Sequence, residues 1–336
     1  MRARVLVLVV MGATASVAAH VACSYPDPSG DLPCTSCHPS TRAARDGDAA
    51  VADDGSTAAP STPGPVDAGG TPPPKCSPAA TFGAPALVPG IDPNAHASSP
   101  HLTTDERVVF FTGSDGQTSA VFRATRADRK MPFGPAEAVP GINSSSNDND
   151  PTVSADGLTL VFHSGRAGTN DVWWAKRADA DAEFGPPVAA PGIATSAYEG
   201  QGFFHVATSE LWFVSDRGGN YDIFRAKLES GTFGAAVNVT ELNTPQDDFL
   251  PFLSADGLTI YFSSTREGGK GGQDLYLATR TDPNGAFGPA IPIAELNTDV
   301  SEQAGSLSPD GCRIYFSRHG GPGGQQIFVA ERPLPP

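Results

Sequence analysis

The dipeptide Phe-Gly recurs at Phe82-Gly83, Phe133-Gly134, Phe184-Gly185, Phe233-Gly234 and Phe287-Gly288, at intervals of 51, 51, 49 and 54 residues. A period near fifty with several short apolar runs per unit points to the blades of a β-propeller, because such units bury their hydrophobic faces only by stacking on copies of themselves. The clearest unit begins at Asp150. Pro151 to Ser154 starts a strand a, Ala155-Asp156-Gly157 makes a tight turn, Leu158 to His163 is strand b, and Val172 to Lys176 is strand c. After a polar turn, Phe184 to Ala190 is strand d. Four runs of about five residues suit one blade.

Sets of a, b and c strands fall near 100–126, 151–177, 200–227, 251–280 and 304–332. The sequence ends at Pro336 before the fifth set gains a strand d, and an unmatched one, Phe82 to Val88, precedes the first set. The expected fold is therefore all-β, a five-bladed β-propeller of four-stranded antiparallel blades. A one-plus-three closure, with the N-terminal strand completing the last blade, leaves the ring no free edge.

Ser-Ala-Asp-Gly at 154–157 and 254–257, Ser-Pro-Asp-Gly at 308–311, and a Ser-x-Arg followed by a Gly-rich loop and Asp-Ile or Asp-Leu form a recurring pattern. It resembles the WD40-like, Pro-Asp type repeat of the bacterial TolB propeller and its relatives. The resemblance implies the propeller fold and a periplasmic or surface setting, and leaves activity open. Two units depart from it: the first has Thr104-Asp105-Glu106 and lacks the Arg and Asp, and the third has Thr208-Ser209-Glu210.

Residues 1–22 read as a secretory signal peptide, with Arg2 and Arg4 ahead of an apolar run from Val5 to Ala19 too short to span a bilayer. His20-Val21-Ala22-Cys23 resembles a bacterial lipobox, which implies lipidation of Cys23; ordinary cleavage after Ala18, Ala19 or Ala22 is the alternative. Residues 23–80 are rich in Pro, Ser, Thr, Ala, Gly and Asp without hydrophobic periodicity, the composition of a disordered linker to a propeller at 81–336. Within 81–336 there are 17 Lys and Arg against 30 Asp and Glu, a balance of −13 in a chain of −15. Such a surface repels phosphate backbones, which excludes nucleic acid. The expected setting is periplasmic or cell-surface, with a lipid anchor in the outer membrane as the only membrane contact and a monomeric propeller.

An acidic residue stands just ahead of strand a in four units, Asp148, Glu199, Asp248 and Glu302, where the first has Ala97. Innermost strands line the channel, so these acids are candidates for a ring at its mouth that binds Ca²⁺ or a cationic partner group. The alternative is that each caps backbone N–H groups of its own loop. Arg166 with Asp171, Arg217 with Asp222, and Arg266 with Asp274 flank the b–c loops and are expected to pair as structural clamps. Cys34-Thr35-Ser36-Cys37-His38 matches the c-type haem attachment pattern, yet no apolar residues surround it to bury a porphyrin, and a local disulfide suits it better. Cys76 and Cys312 are expected to join as a latch on the ring. His96, His101, His163, His205 and His319 lack metal-ligand spacing and read as surface or satisfied strand histidines.

The function expected is a non-catalytic envelope or surface binding or scaffold module. It would hold a protein or other ligand at the face carrying the acids and the Gly-rich loops at 165–170, 218–221, 268–273 and 320–325. Trp173, Trp174, Tyr198 and Phe249 break the repeat and are recognition candidates, unless they pack between blades. The alternative is a carbohydrate-active enzyme or lectin using paired channel-mouth carboxylates. Against catalysis, the equivalence of the four acids denies the differentiated acid and base that hydrolysis needs.

Overall fold

The computed structural model describes residues 76–92, 96–114, 117–321 and 324–334. The chain divides after Val66, and every described residue belongs to the second unit, Asp67–Pro336. Cys23, Cys34, Cys37 and His38 lie outside the described residues.

The described chain is all strand and turn, arranged as a five-bladed propeller of four-stranded antiparallel blades. The innermost strands a are Ser98–Leu102, Asp148–Val153, Glu199–His205, Asp248–Leu253 and Glu302–Leu307. Strands b are Val108–Ser114, Thr159–Ser164, Glu210–Ser215, Thr259–Ser264 and Arg313–Gly321. Strands c are Ser119–Thr125, Asp171–Lys176, Asp222–Glu229, Asp274–Thr279 and Gly324–Glu331. Blade 3 adds a two-residue strand, Thr232–Phe233, that folds back on its strand c. Ala86–Leu87 pairs with Val329 and Phe328 of blade 5, so the N-terminal strand does complete the last blade.

Strand d is far shorter than its sequence promised. Each covers two residues: Ala86–Leu87, Glu137–Ala138, Val188–Ala189, Val237–Asn238 and Ile291–Pro292. The reason lies in the Phe-Gly marker. Its glycine N–H donates to a strand c carbonyl in every blade, as from Gly185 to Lys176 at 2.8 Å, but a proline follows directly in three blades and has no N–H to continue the ladder. Phe82, Phe133, Phe184, Phe233 and Phe287 are all buried, and in four blades an arginine at the end of strand c lies over the ring, Arg332, Arg126, Arg177 and Arg280 at 3.9 to 4.5 Å from the centroid. Each Phe-Gly is thus a plug between strand c and the preceding blade, as Phe184 against Phe110 and Phe287 against Trp212. Phe133 N–H also donates to Pro89 O, an approach so close that a Cβ on Gly90 would lie 2.1 Å from Phe133 O.

Cys76 and Cys312 are joined by a disulfide closing a separation of 236 residues, with Cα atoms 5.0 Å apart. A second lock crosses the same seam. Glu106 occupies the place of the turn glycine in the first unit at φ 57°, a backbone region costly for a side chain, and is 4% exposed. Its carboxylate accepts from Arg313 at 2.8 and 2.6 Å and from the Tyr315 hydroxyl at 2.7 Å, all in blade 5. The departure from the repeat in blade 1 is where the ring is locked.

Candidate functional site

The four acids ahead of the strands a do not form an open ring. Asp148, Glu199, Asp248 and Glu302 begin the strands themselves and are each 0% exposed. Each is paired with an arginine at the end of its own strand b: Arg166 (2.6 Å), Arg217 (2.9 Å), Arg266 (2.7 Å) and Arg318 (2.8 Å). The remaining acceptor capacity goes to the preceding loop, whose Ser144, Thr195, Thr244 and Thr298 donate both backbone N–H and hydroxyl. The same arginines reach a carbonyl of that loop, at Ile142, Ile193, Leu242 and Leu296. One guanidinium therefore staples strand a, strand b and the d–a loop. Carboxylates so occupied have no oxygen to offer Ca²⁺ or a partner.

The expected pairing of Arg166, Arg217 and Arg266 with Asp171, Asp222 and Asp274 is corrected with it. Ser164 is the cross-strand partner of both Asp148 and Asp171, so both carboxylates flank Arg166. The more deeply buried one takes it, because an unpaired charge there costs most. The outer aspartates find neutral donors: the Thr169 hydroxyl for Asp171, the amides of loop Asn220 and strand d Asn238 for Asp222, and the Lys270 and Gly271 N–H groups for Asp274. Arg318 was not singled out. Its signal was present, since acid and arginine are 18 residues apart in three blades and 16 in the last.

The channel is closed at its centre by one residue from each blade. A bulge in strand a turns Ser99, Asp150, Gln201 and Leu250 inward at φ of 50 to 53°, and Ala304 with Gly305 fills the fifth sector. What remains between them is about 10 Å³, the room of one water. Asp150 is the one carboxylate in this plug. It accepts from the Ser99 hydroxyl at 2.5 Å and lies 3.3 Å from His163 Nδ1. Burial holds the His163 pKa below its ordinary range, against the pull of Asp150.

Beyond the plug, on the side of the a–b turns, the channel widens into a blind vestibule of about 290 Å³. Its walls are the ends of the five strands a, including Leu102, Val153, Phe204, Leu253 and Leu307, so all blades contribute apolar surface. Two histidines join them. His101 accepts the Val153 N–H on Nδ1, which leaves Nε2 as its donor, and burial pushes its pKa down to about 3. His205 is 5% exposed; its Nδ1 lies 2.9 Å from the Thr208 hydroxyl and its Nε2 has no partner. The rim is formed by residues of the a–b turns, among them Thr104, Asp156, Ala255 and Pro309. Asp105, Asp156, Asp256 and Asp310 each use Oδ1 to accept a Ser or Thr hydroxyl two residues back and an N–H two residues on. This is the chemistry behind the recurring Ser-x-Asp-Gly: a side-chain turn, built on the face opposite to the one the acidic pattern drew attention to.

The pattern-breaking aromatics divide between the two roles. Trp174 is buried between Phe204 and Phe233 of the next blade and is packing. Trp173 lies under Arg166. Tyr198, Tyr221 and Phe249 remain half-buried in a row with successive centroids 5.3 Å apart, and His163 stands 5.4 Å from Tyr198 at its end.

The chain matches no family model and no curated protein sequence. Its fold is similar to that of a thermostable family-43 glycoside hydrolase, with a TM-score of 0.54 at 13% identity over 74% of this chain and 92% of that one. The endo-arabinase from Bacteroides thetaiotaomicron gives 0.53 at 14% identity, over 74% and 98%. TolB from Acinetobacter baumannii gives 0.45 at 16% identity over 70% of this chain, which spans 55% of that protein's length. At such identities the likeness to the two hydrolases is one of fold alone.

Proposed function

We propose that the propeller is a non-catalytic binding module for a protein, displayed by an exported chain that Cys23 anchors to the outer membrane. The observation that carries this reading is the state of the carboxylates. Retaining and inverting glycoside hydrolysis each need two carboxyl groups roughly 5 to 10 Å apart across a bound sugar. Among the described residues the plug offers Asp150 alone, and Asp148, Glu199, Asp248 and Glu302 are sealed against arginine.

The rival is a carbohydrate-active enzyme, favoured by the fold shared with the glycoside hydrolases and by Asp150 in the channel. An assay of the full chain on arabinan, xylan and aryl-glycoside substrates separates the two. We expect no turnover above background. Hydrolysis that disappears in Asp150→Asn, with the variant still folded, would overturn the binding reading.

A further inference from the structure

The vestibule has the features of a receptor rather than of a solvent pit. It is concave, drawn from all five blades, and closed behind by the plug, so what enters must leave by the same mouth. At about 290 Å³ it lies at the lower end of small-molecule sites and suits an inserted side chain. It does not end at its own rim. A second hollow of about 270 Å³ shares Ala255, Leu307 and Pro309 with it and continues outward between blades 4 and 5 to Tyr261 and Cys76. A well prolonged into a groove fits an extended polypeptide better than a compact molecule.

Two polar features narrow the class. His205 Nε2 is buried and unpartnered in the wall, and neutral His101 has its Nε2 left to donate; a peptide backbone brings both a donor and an acceptor. Part of the rim charge is left for a ligand, since Asp310 is held by Arg313 while Asp156 faces the well. Asp105 and Asp156 are exposed, use one oxygen each on their own turns, and make no ion pair among the described residues. With −13 over residues 81–336, the rim favours cations.

We propose that the vestibule is the docking site of a partner protein segment that buries one apolar side chain in the well and carries Lys or Arg beside it. The inference rests on the reading of the propeller as a binding module and adds its face and the chemistry of its ligand.

The test is a random peptide library panned on the full chain, with the selected peptides then measured by fluorescence polarisation at low and high salt. Selected sequences should share an apolar residue flanked by Lys or Arg. Ala255→Trp, an exposed turn position that overhangs both hollows, should weaken them about tenfold or more by filling the well. Asp105→Asn with Asp156→Asn keeps both turn acceptors, and should cost severalfold in affinity and flatten the salt dependence. Unchanged melting temperatures in both variants show that folding is not the cause. Selection of acidic or uncharged peptides, or affinity indifferent to Ala255→Trp, overturns the site while leaving a binding module. Self-association of the wild type that Ala255→Trp abolishes assigns the well to a second copy and overturns the heterologous partner. Hydrolysis of arabinan or xylan by the same preparation removes the module reading, and this proposal with it.

Discussion

The two ends of the channel carry the same kind of residue and use it in opposite ways. At the end where the strands a begin, each acid is fully buried and held by an arginine, a hydroxyl and a backbone N–H. At the other, Asp105 and Asp156 sit on exposed turns beside an apolar well and each spends a single oxygen on its own turn, while Asp310 is paired with Arg313. Repetition therefore does not by itself say whether a residue builds a blade or serves a ligand. Both sets repeat, and the difference is burial: the sealed acids are 0% exposed, whereas Asp105 and Asp156 face solvent.

The largest expected effect is at the sealed end. Arg266→Ala leaves Asp248 buried without its cation and should lower unfolding free energy by about 3–5 kcal/mol in a urea titration; a loss under about 1 kcal/mol would erase the contrast between the ends. Next comes the seam on the vestibule side. Replacing Cys76 and Cys312 together by Ser should cost about 2–5 kcal/mol, read as a lower melting temperature that reductant no longer shifts.

A smaller effect is tied to pH. His101 is depressed in the folded state to about 3 by burial, so between that value and the ordinary histidine range the unfolded chain holds more protons. Its contribution is complete above the unfolded value and is lost as pH falls toward the folded one. Unfolding free energy should drop by about 1–2 kcal/mol between pH 7 and pH 5, and His101→Gln should flatten that slope. An unchanged slope would mean that His101 is solvated and the well is wet. Smallest of all, Asp156→Asn at the open end should stay within about 0.5 kcal/mol of wild type in the same titration.

Much of the architecture is legible in the sequence because it is written five times. The period, the a–b turns and the unmatched N-terminal strand each follow from spacing and from the chemistry of Asp-Gly. The length of strand d does not, since Phe184 and Phe287 look like strand residues until the proline two positions on is counted as a missing donor. The pairing of Arg166 is hidden in the sequence because strand neighbours in space lie on both sides of Ser164, and sequence distance favours Asp171 at 5 over Asp148 at 18. The vestibule is not legible in the sequence. Its walls are unremarkable apolar ends of strands a, and only closure of the ring brings Leu102, Phe204 and Leu307 together.

The disulfide also decides how the domain bears a load. The strand that closes the ring is two residues long and would peel away one hydrogen bond at a time if tension reached it directly. Cys76 lies ahead of that strand, and its bond leads to Cys312 at the foot of a nine-residue inner strand. A pull arriving from the N-terminal side thus enters the interior of blade 5, and the closing strand hangs slack in a covalent loop. A propeller tugged through Cys76 would be hauled as a whole, without being unbuttoned.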